Sequence, residues 1–175
     1  MTRYVALLRG INVGAVNIKM VDLTRVFTDL GFERVETVLA SGNVLFDSDT
    51  TEPSALKTDI ESALTREFHY EAWVFVLEKS ELQNIVDNFP FVVANPDRHS
   101  YVMVAADPAV LTELGALSGG LDPLVEQVAV GDGVLYWEVE KGMTVTGAFG
   151  RHTGKTRYKA HTTTRNINTL HKILK

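Results

Sequence analysis

Cysteine is absent from this sequence, which excludes disulfide bonds, thiol catalysis and metal sites built on thiolates. No apolar run approaches the roughly 20 residues that a membrane-spanning helix needs. The apolar run near the N-terminus ends at Arg9-Gly10, and no small-residue cleavage site follows it, so we predict no signal peptide. We therefore expect a cytoplasmic protein without a membrane partner.

Acidic residues outnumber basic ones, but the two signs are unevenly distributed along the chain. The net charge of −5 combines −12 from residues 1–150 with +7 from residues 151–175, which contain no acidic residue. Such asymmetry is typical of proteins with an anionic partner, nucleic acid included. The alternative is that the basic tail packs on the acidic body. The seven basic residues are Arg151, Lys155, Arg157, Lys159, Arg165, Lys172 and Lys175.

The first half of the chain shows the element order β-α-β-β-α-β. Tyr4–Leu8 is apolar at every position, which indicates a central strand, and apolar residues recur at helical spacing between Met20 and Leu30. Two strands joined by Ser41-Gly42-Asn43 follow, then a helix beginning at Pro53 and a strand at Trp73–Leu77. This order is the split βαβ pattern of ferredoxin-like folds.

A second run of elements repeats this order after a linking helix, as an ancient duplication would produce. Ser80 and Gln83 predict a capping box at the start of the linking helix. A strand at Tyr101–Ala105, a helix after Asp107-Pro108 and a hairpin around Gly131-Asp132-Gly133 follow it. We predict an α+β fold of two ferredoxin-like βαββαβ halves with antiparallel sheets and a C-terminal helix. The predicted divisions are a first half at 1–78, a linking helix and loop at 79–98, and a second half at 99–175.

Two glycine-containing loops of the first half are predicted to meet at one edge of its sheet, namely the edge at which the first strand ends. In the split βαβ pattern, the end of the first strand lies beside the turn that joins strands two and three. Backbone amides, a basic side chain and the positive end of the first helix would favour an anion there. The alternative is that these residues only shape the turns and that Arg9 pairs with an acidic neighbour. The candidate ligand-binding residues are Arg9, Gly10, Asn12, Gly14, Lys19, Ser41, Gly42 and Asn43.

Three motifs occur in order along the chain: Tyr4–Gly14 followed by Asn17 and Lys19-Met20, then Ala40–Val44, then Thr163–Leu170. Together they resemble a widespread bacterial family of domains of unknown function, across essentially the whole chain. The resemblance implies two ferredoxin-like halves and no activity, and it adds Arg165 and Asn166 to the candidate ligand-binding residues. Their alternative role is to cap the last helix. Ala15 and Ile167 depart from the family pattern, which often has glycine and tryptophan there.

Two further motifs resemble catalytic ones without the context that these require. Gly150–Thr156 is similar to a P-loop, but it has three residues between its glycines and lies in a segment, 143–160, with weak periodicity. Asp47-Ser48-Asp49 is similar to the paired aspartates of phosphatases, although acids before Pro53 also favour a helix start. The histidines lack metal-ligand spacing, so no metal site is predicted.

The sequence thus leads to one main hypothesis and two alternatives. The main hypothesis is a monomeric protein that binds a small anionic, nucleotide-like ligand at the sheet edge of its first half. One alternative is nucleic-acid binding through the basic C-terminal segment, which predicts affinity that falls steeply with salt. The other is a hydrolase or transferase of unknown substrate that uses the same edge. No catalytic residue and no cofactor can be named from the sequence.

Overall fold

Eight strands form two separate four-stranded antiparallel sheets in the computed structural model, which describes residues 1–175. The chain divides into two units, residues 1–83 with 171–175, and residues 84–170. The prediction of an α+β fold with two ferredoxin-like halves and a C-terminal helix is confirmed. None of the helices is both long and apolar enough to span a lipid bilayer.

The sheet of the first unit has the strand order β2-β3-β1-β4, with β1 and β3 in the centre. Every residue from Tyr4 to Leu8 is buried, which explains the unbroken apolar run in β1. One face of the sheet packs against two helices through Leu23, Phe27 and Ile60. The elements of this unit are β1 (Thr2–Leu8), α1 (Met20–Asp29), β2 (Glu33–Thr37), β3 (Asn43–Ser48), α2 (Pro53–Phe68) and β4 (Val74–Glu78).

The sheet of the second unit has the corresponding strand order, β6-β7-β5-β8. Its core is built around Trp137, whose ring lies 5.1 Å from the ring of Phe149, with Leu114 packed against them. The remaining elements are α3 (Lys79–Asp87), β5 (Arg98–Ala105), α4 (Pro108–Gly115), a 3₁₀ turn (Ser118–Gly120), β6 (Glu126–Val130), β7 (Val134–Glu140), α5 (Ala148–Thr153), α6 (Thr156–Lys159), β8 (Thr162–Asn166) and α7 (Ile167–Leu174).

Residues 143–160, which showed weak periodicity in the sequence, contain the two short helices α5 and α6. Gly150 lies within α5, and a Cβ atom there would overlap the carbonyl oxygen of Thr144. The glycine is therefore needed for a close backbone contact that no other residue type would allow. The segment does not have the strand, loop and helix arrangement of a P-loop.

The predicted capping box at the linking helix is not formed. Helix α3 begins at Lys79, directly after β4 ends at Glu78, so Ser80 lies inside the helix. The Ser80 hydroxyl donates a hydrogen bond of 3.3 Å to the Glu78 carboxylate. The prediction was wrong because no loop separates β4 from α3, which leaves no room for Ser80 to precede the helix.

Candidate functional site

The connection between β1 and α1 is long, since it comprises residues 9–19. The corresponding connection of the second unit comprises only residues 106–107, and there the Asp107 carboxylate caps α4 by accepting from the Ala109 amide at 2.9 Å. Most strand-to-helix connections have about 2–6 residues. Because the second unit makes the same topological step with two residues, the extra length in the first unit is not required by the fold. We call residues 9–19 the β1–α1 loop.

The β1–α1 loop lies beside the turn between β2 and β3, as the topology predicted. The Leu8 amide donates to the Gly42 carbonyl at 2.8 Å, and Nδ2 of Asn12 donates to the Ala40 carbonyl at 2.7 Å. Asn12 also ties the loop to its own end, since Nδ2 donates to the Ile18 carbonyl at 3.1 Å and Oδ1 accepts from the Ile18 amide at 2.9 Å. One side chain therefore holds three backbone segments together.

The turn itself depends on Gly42 and Asn43. Gly42 has φ +88°, and a Cβ atom there would come within 2.8 Å of both Leu8 and Ile11. The buried Asn43 side chain donates from Nδ2 to the Val38 carbonyl at 2.7 Å and to the Ser41 hydroxyl at 2.9 Å. The side-chain amides of Asn12 and Asn43 thus hold the loop and the turn in shape. Shaping the turns is the alternative role that the sequence left open for these residues.

Two cations at this edge have no partner. The Arg9 amide donates to the Trp73 carbonyl at 3.0 Å, which fixes the backbone at the end of β1. The Arg9 guanidinium forms no hydrogen bond or ion pair, so the alternative of an acidic neighbour is not realised. The Lys19 side chain, which immediately precedes α1, is exposed and equally free.

The backbone of the β1–α1 loop also offers unused donors. Among the amides from Gly10 to Asn17, only that of Asn12 donates a hydrogen bond, to the Val16 carbonyl at 2.7 Å. Helix α1 begins after Lys19 without a capping side chain, and the amides of its first two residues, Met20 and Val21, donate no hydrogen bond. Free amides, a helix N-terminus and unpaired cations together make this edge attractive to an anion.

The two candidate residues from the C-terminal motif lie in β8 of the second unit. Arg165 is buried, and its Nη1 donates to the Thr163 hydroxyl at 2.7 Å and to the Thr164 carbonyl at 3.1 Å. Burial lowers the pKa of Arg165 to about 10. Oδ1 of Asn166 accepts from the Asn168 amide at 2.9 Å at the start of α7, which is the capping role considered for it.

Sequence reasoning missed Trp73 as part of the first-unit edge. Trp73 is half-buried, and its backbone is held beside the end of β1 by the hydrogen bond from Arg9. The Lys57 ammonium lies 5.6 Å from the centre of its ring. The available signal was topological, since the last strand of a split βαβ unit starts beside the end of the first strand.

We expect Asn12→Asp to loosen the β1–α1 loop while the sheet remains intact. Aspartate keeps the oxygen that accepts from the Ile18 amide and tolerates the positive φ of 55°. It loses the donor to Ala40 and Ile18 and places a carboxylate beside two carbonyls, at a cost of about 2 kcal/mol. Hydrogen exchange should speed up at the backbone amides of residues 12 and 18, which are the loop amides that donate hydrogen bonds, but not in β1. Equal protection of these two amides in both proteins would contradict the bracing role of Asn12.

The model of a family described as "Protein of unknown function (DUF1697)" matches residues 1–136 of this chain. Among solved structures, the conserved bacterial protein SP0830 from Streptococcus pneumoniae is similar over 99% of each chain, with a TM-score of 0.81 and 23% sequence identity. This likeness shows a shared fold. An unknown protein from Galdieria sulphuraria aligns over 94% of this chain and 96% of its own, with a TM-score of 0.30 and 11% identity. No curated protein sequence matches the chain significantly.

Proposed function

Because this chain belongs to the DUF1697 family of proteins of unknown function, we propose its function from its own residues: it binds a small anionic, nucleotide-like ligand at the edge of the first sheet. The observation that carries the proposal is a pair of unpaired cations, Arg9 and Lys19, on a loop whose amides are free. A guanidinium presents paired donors that match two oxygens of a phosphate or carboxylate group. The ammonium of Lys19 adds a second positive charge next to the first turn of α1.

Rigidity of the loop supports binding. Asn12 joins the β1–α1 loop to the Ala40 carbonyl and to both backbone polar groups of Ile18. Gly42 allows Leu8 and Ile11 to pack directly against the turn. A loop that is already ordered loses little conformational entropy when a ligand binds, so more of the interaction energy appears as affinity.

The nucleotide-like character of the ligand is supported by aromatic and apolar residues in the segments that meet at this edge. Trp73 supplies a half-buried aromatic ring at the same edge, and aromatic rings stack on nucleobases. Val13 and Leu39 are exposed apolar residues of the loop and the turn. An anion alone would need only the cations and amides, whereas a base also uses apolar surface.

A binding role accounts for this edge better than a hydrolase or transferase does. Residues 9–19 and 38–43 contain no acidic residue and no histidine, so these segments supply no general base. For nucleic-acid binding, the basic segment provides less free charge than its sequence suggests. Arg157 pairs with Glu113, and Arg165 is buried.

We expect Arg9→Ala to weaken nucleotide binding by about tenfold or more, because a charge-assisted pair contributes about 1.5–3 kcal/mol. Calorimetric titration with ATP, AMP and adenosine at about 50 and about 200 mM salt measures the change. Arg66→Ala is the matched control, since Arg66 is an exposed arginine of α2 outside the edge. The melting temperature of both variants should stay close to that of the parent protein.

Three results would count against the sheet-edge site. One is unchanged affinity in Arg9→Ala, and another is unfolding of that variant, which would make Arg9 structural. The third is binding of oligonucleotides alone, with affinity that falls steeply with salt. That result would transfer the function to the basic segment.

A further inference from the structure

The second unit contains a cavity of about 260 Å³ where β5 begins and where β7 and β8 end. Antiparallel pairing brings these three strand ends together, since Arg98 lies opposite Glu140 and Tyr101 lies opposite Asn166. The polar residues that line the cavity include Asn95, His99, Ser100, Lys141, Asn166 and Asn168. No carboxylate lines the cavity.

Several hydrogen-bond donors in the cavity have no partner within the protein. The exposed Lys141 ammonium forms no ion pair and no hydrogen bond. Asn95 and Asn166 each use the side-chain oxygen to accept from a backbone amide, of Asp97 at 3.0 Å and of Asn168 at 2.9 Å, so both NH₂ groups remain unused. The His99 ring lies 5.8 Å from the ring of Tyr101, and neither ring nitrogen is hydrogen-bonded.

Ser100 points most directly to a ligand. Its residue is only 5% exposed and lines the cavity, yet its hydroxyl makes no hydrogen bond within the protein. Most polar side chains of buried residues have a partner within the protein. The Ser100 hydroxyl oxygen instead keeps some accessible surface where it lines the cavity, so it is available to a bound molecule.

The charges around the cavity leave it positive. Glu138, the cross-strand neighbour of Ser100, accepts from Nη1 of Arg98 at 3.3 Å, so its charge is balanced. The Arg98 guanidinium is also held by the Leu124 carbonyl at 2.6 Å. Lys141 remains uncompensated, and α7 begins at Ile167 with its positive dipole end at the cavity wall.

We propose that this cavity binds a small phosphorylated sugar. The Lys141 ammonium and the start of α7 favour the phosphate group. The asparagine side chains, the His99 imidazole and the Ser100 hydroxyl can each donate and accept hydrogen bonds, which suits the hydroxyls of a sugar. The volume lies below the roughly 300–1,000 Å³ of sites for drug-sized ligands, so a compact metabolite fits better than a dinucleotide. This site is independent of the proposed nucleotide site, because it shares none of Arg9, Lys19 or the β1–α1 loop.

Calorimetric titration of the whole chain with ribose 5-phosphate, glucose 6-phosphate and glycerol 3-phosphate tests the proposal, with ribose and inorganic phosphate as partial ligands. We expect at least one sugar phosphate to bind more tightly than either partial ligand. Lys141→Gln should weaken that binding by about tenfold, because a charge-assisted contact is lost. Ser100→Ala should weaken it by less without destabilising the fold, since the hydroxyl has no protein partner.

Matched variants separate this site from other positive surfaces. Lys159→Gln, which removes an exposed lysine of α6, should leave sugar-phosphate affinity unchanged. In ¹⁵N spectra, the side-chain amide signals of Asn95, Asn166 and Asn168 should shift on titration. The proposal is overturned by any of three results: no binding of the three sugar phosphates, equal binding of inorganic phosphate, or unchanged affinity in Lys141→Gln.

Discussion

Gly42→Ala is expected to lower the free energy of unfolding by about 3 kcal/mol, because two penalties add at this position. The backbone has φ +88°, a conformation that an alanine adopts only with strain. The new Cβ atom would also lie 2.8 Å from atoms of both Leu8 and Ile11, which are buried and cannot move away easily. Urea denaturation of the variant and the parent protein measures the difference.

Two other glycines of the same edge serve as controls for Gly42→Ala. Gly10 has φ +70°, but the space that a Cβ atom would occupy is open, so Gly10→Ala should cost only about 1 kcal/mol. Gly14 has neither a positive φ nor a close neighbour, so Gly14→Ala should be nearly neutral. If Gly42→Ala and Gly10→Ala destabilise equally, the close packing of the turn against Leu8 and Ile11 is not what requires the glycine.

The second large effect is expected for Asp47→Asn, which should destabilise the protein by about 3 kcal/mol. The Asp47 side chain is 4% exposed and accepts from Nη1 of Arg3 at 3.0 Å and from the guanidinium of Arg34. Removing the carboxylate charge leaves the mostly buried Arg3 with only the exposed Glu36 as an acidic partner. Asp49→Asn is the matched control, since Asp49 is an exposed carboxylate two residues away.

The effect of Asp47→Asn should depend on pH. Burial raises the pKa of the Asp47 carboxyl, but hydrogen bonds from Arg34 and Arg3 outweigh it, so the pKa lies below its ordinary value. A carboxyl whose pKa is lowered by folding stabilises the protein above the unfolded pKa of about 3.9. That contribution is lost as the pH falls through the folded pKa. The stability difference between parent and variant should therefore shrink below about pH 4, and a constant difference from neutral to acidic pH would contradict this account.

The same contacts determine how the Asp47-Ser48-Asp49 motif is interpreted. A phosphatase nucleophile must be free to attack a phosphate group, whereas Asp47 is buried and bound by two arginines. Its structural role joins the start of β1 to the end of β3, where Arg3 lies opposite Asp47 in the register. The sequence showed the paired acids but not the arginines that reach one of them.

Much of the first-unit edge could be predicted, because it follows from local patterns and one topological rule. The apolar run of β1 and the turn at Ser41-Gly42-Asn43 are visible within a few residues of sequence. The split βαβ order then places the end of β1 beside that turn. The sequence could not show that the side-chain amides of Asn12 and Asn43 donate to backbone carbonyls while the Arg9 guanidinium stays free. These hydrogen bonds depend on distances within the folded loop and turn.

The cavity of the second unit had no counterpart in the sequence. Ser100, Lys141 and Asn166 lie on three different strands or strand ends, and no spacing rule connects them. Only Asn166 was a candidate, and it was assigned through a family resemblance rather than through its surroundings. A cavity forms where side chains from distant segments fail to fill the space between them, which is a property of packing and not of any local pattern.

The sequence by itself determined the class of fold, the order of the elements and the position of the β1–α1 loop, because periodicity and turn chemistry act over short distances. Tertiary structure alone decided which polar groups are already satisfied and which remain available to a ligand. Arg9, Lys141 and Ser100 are free, whereas Asp47 and Asn43 are not, and nothing in their residue types distinguishes these outcomes. The reason is that hydrogen bonding and burial depend on neighbours brought together from across the chain.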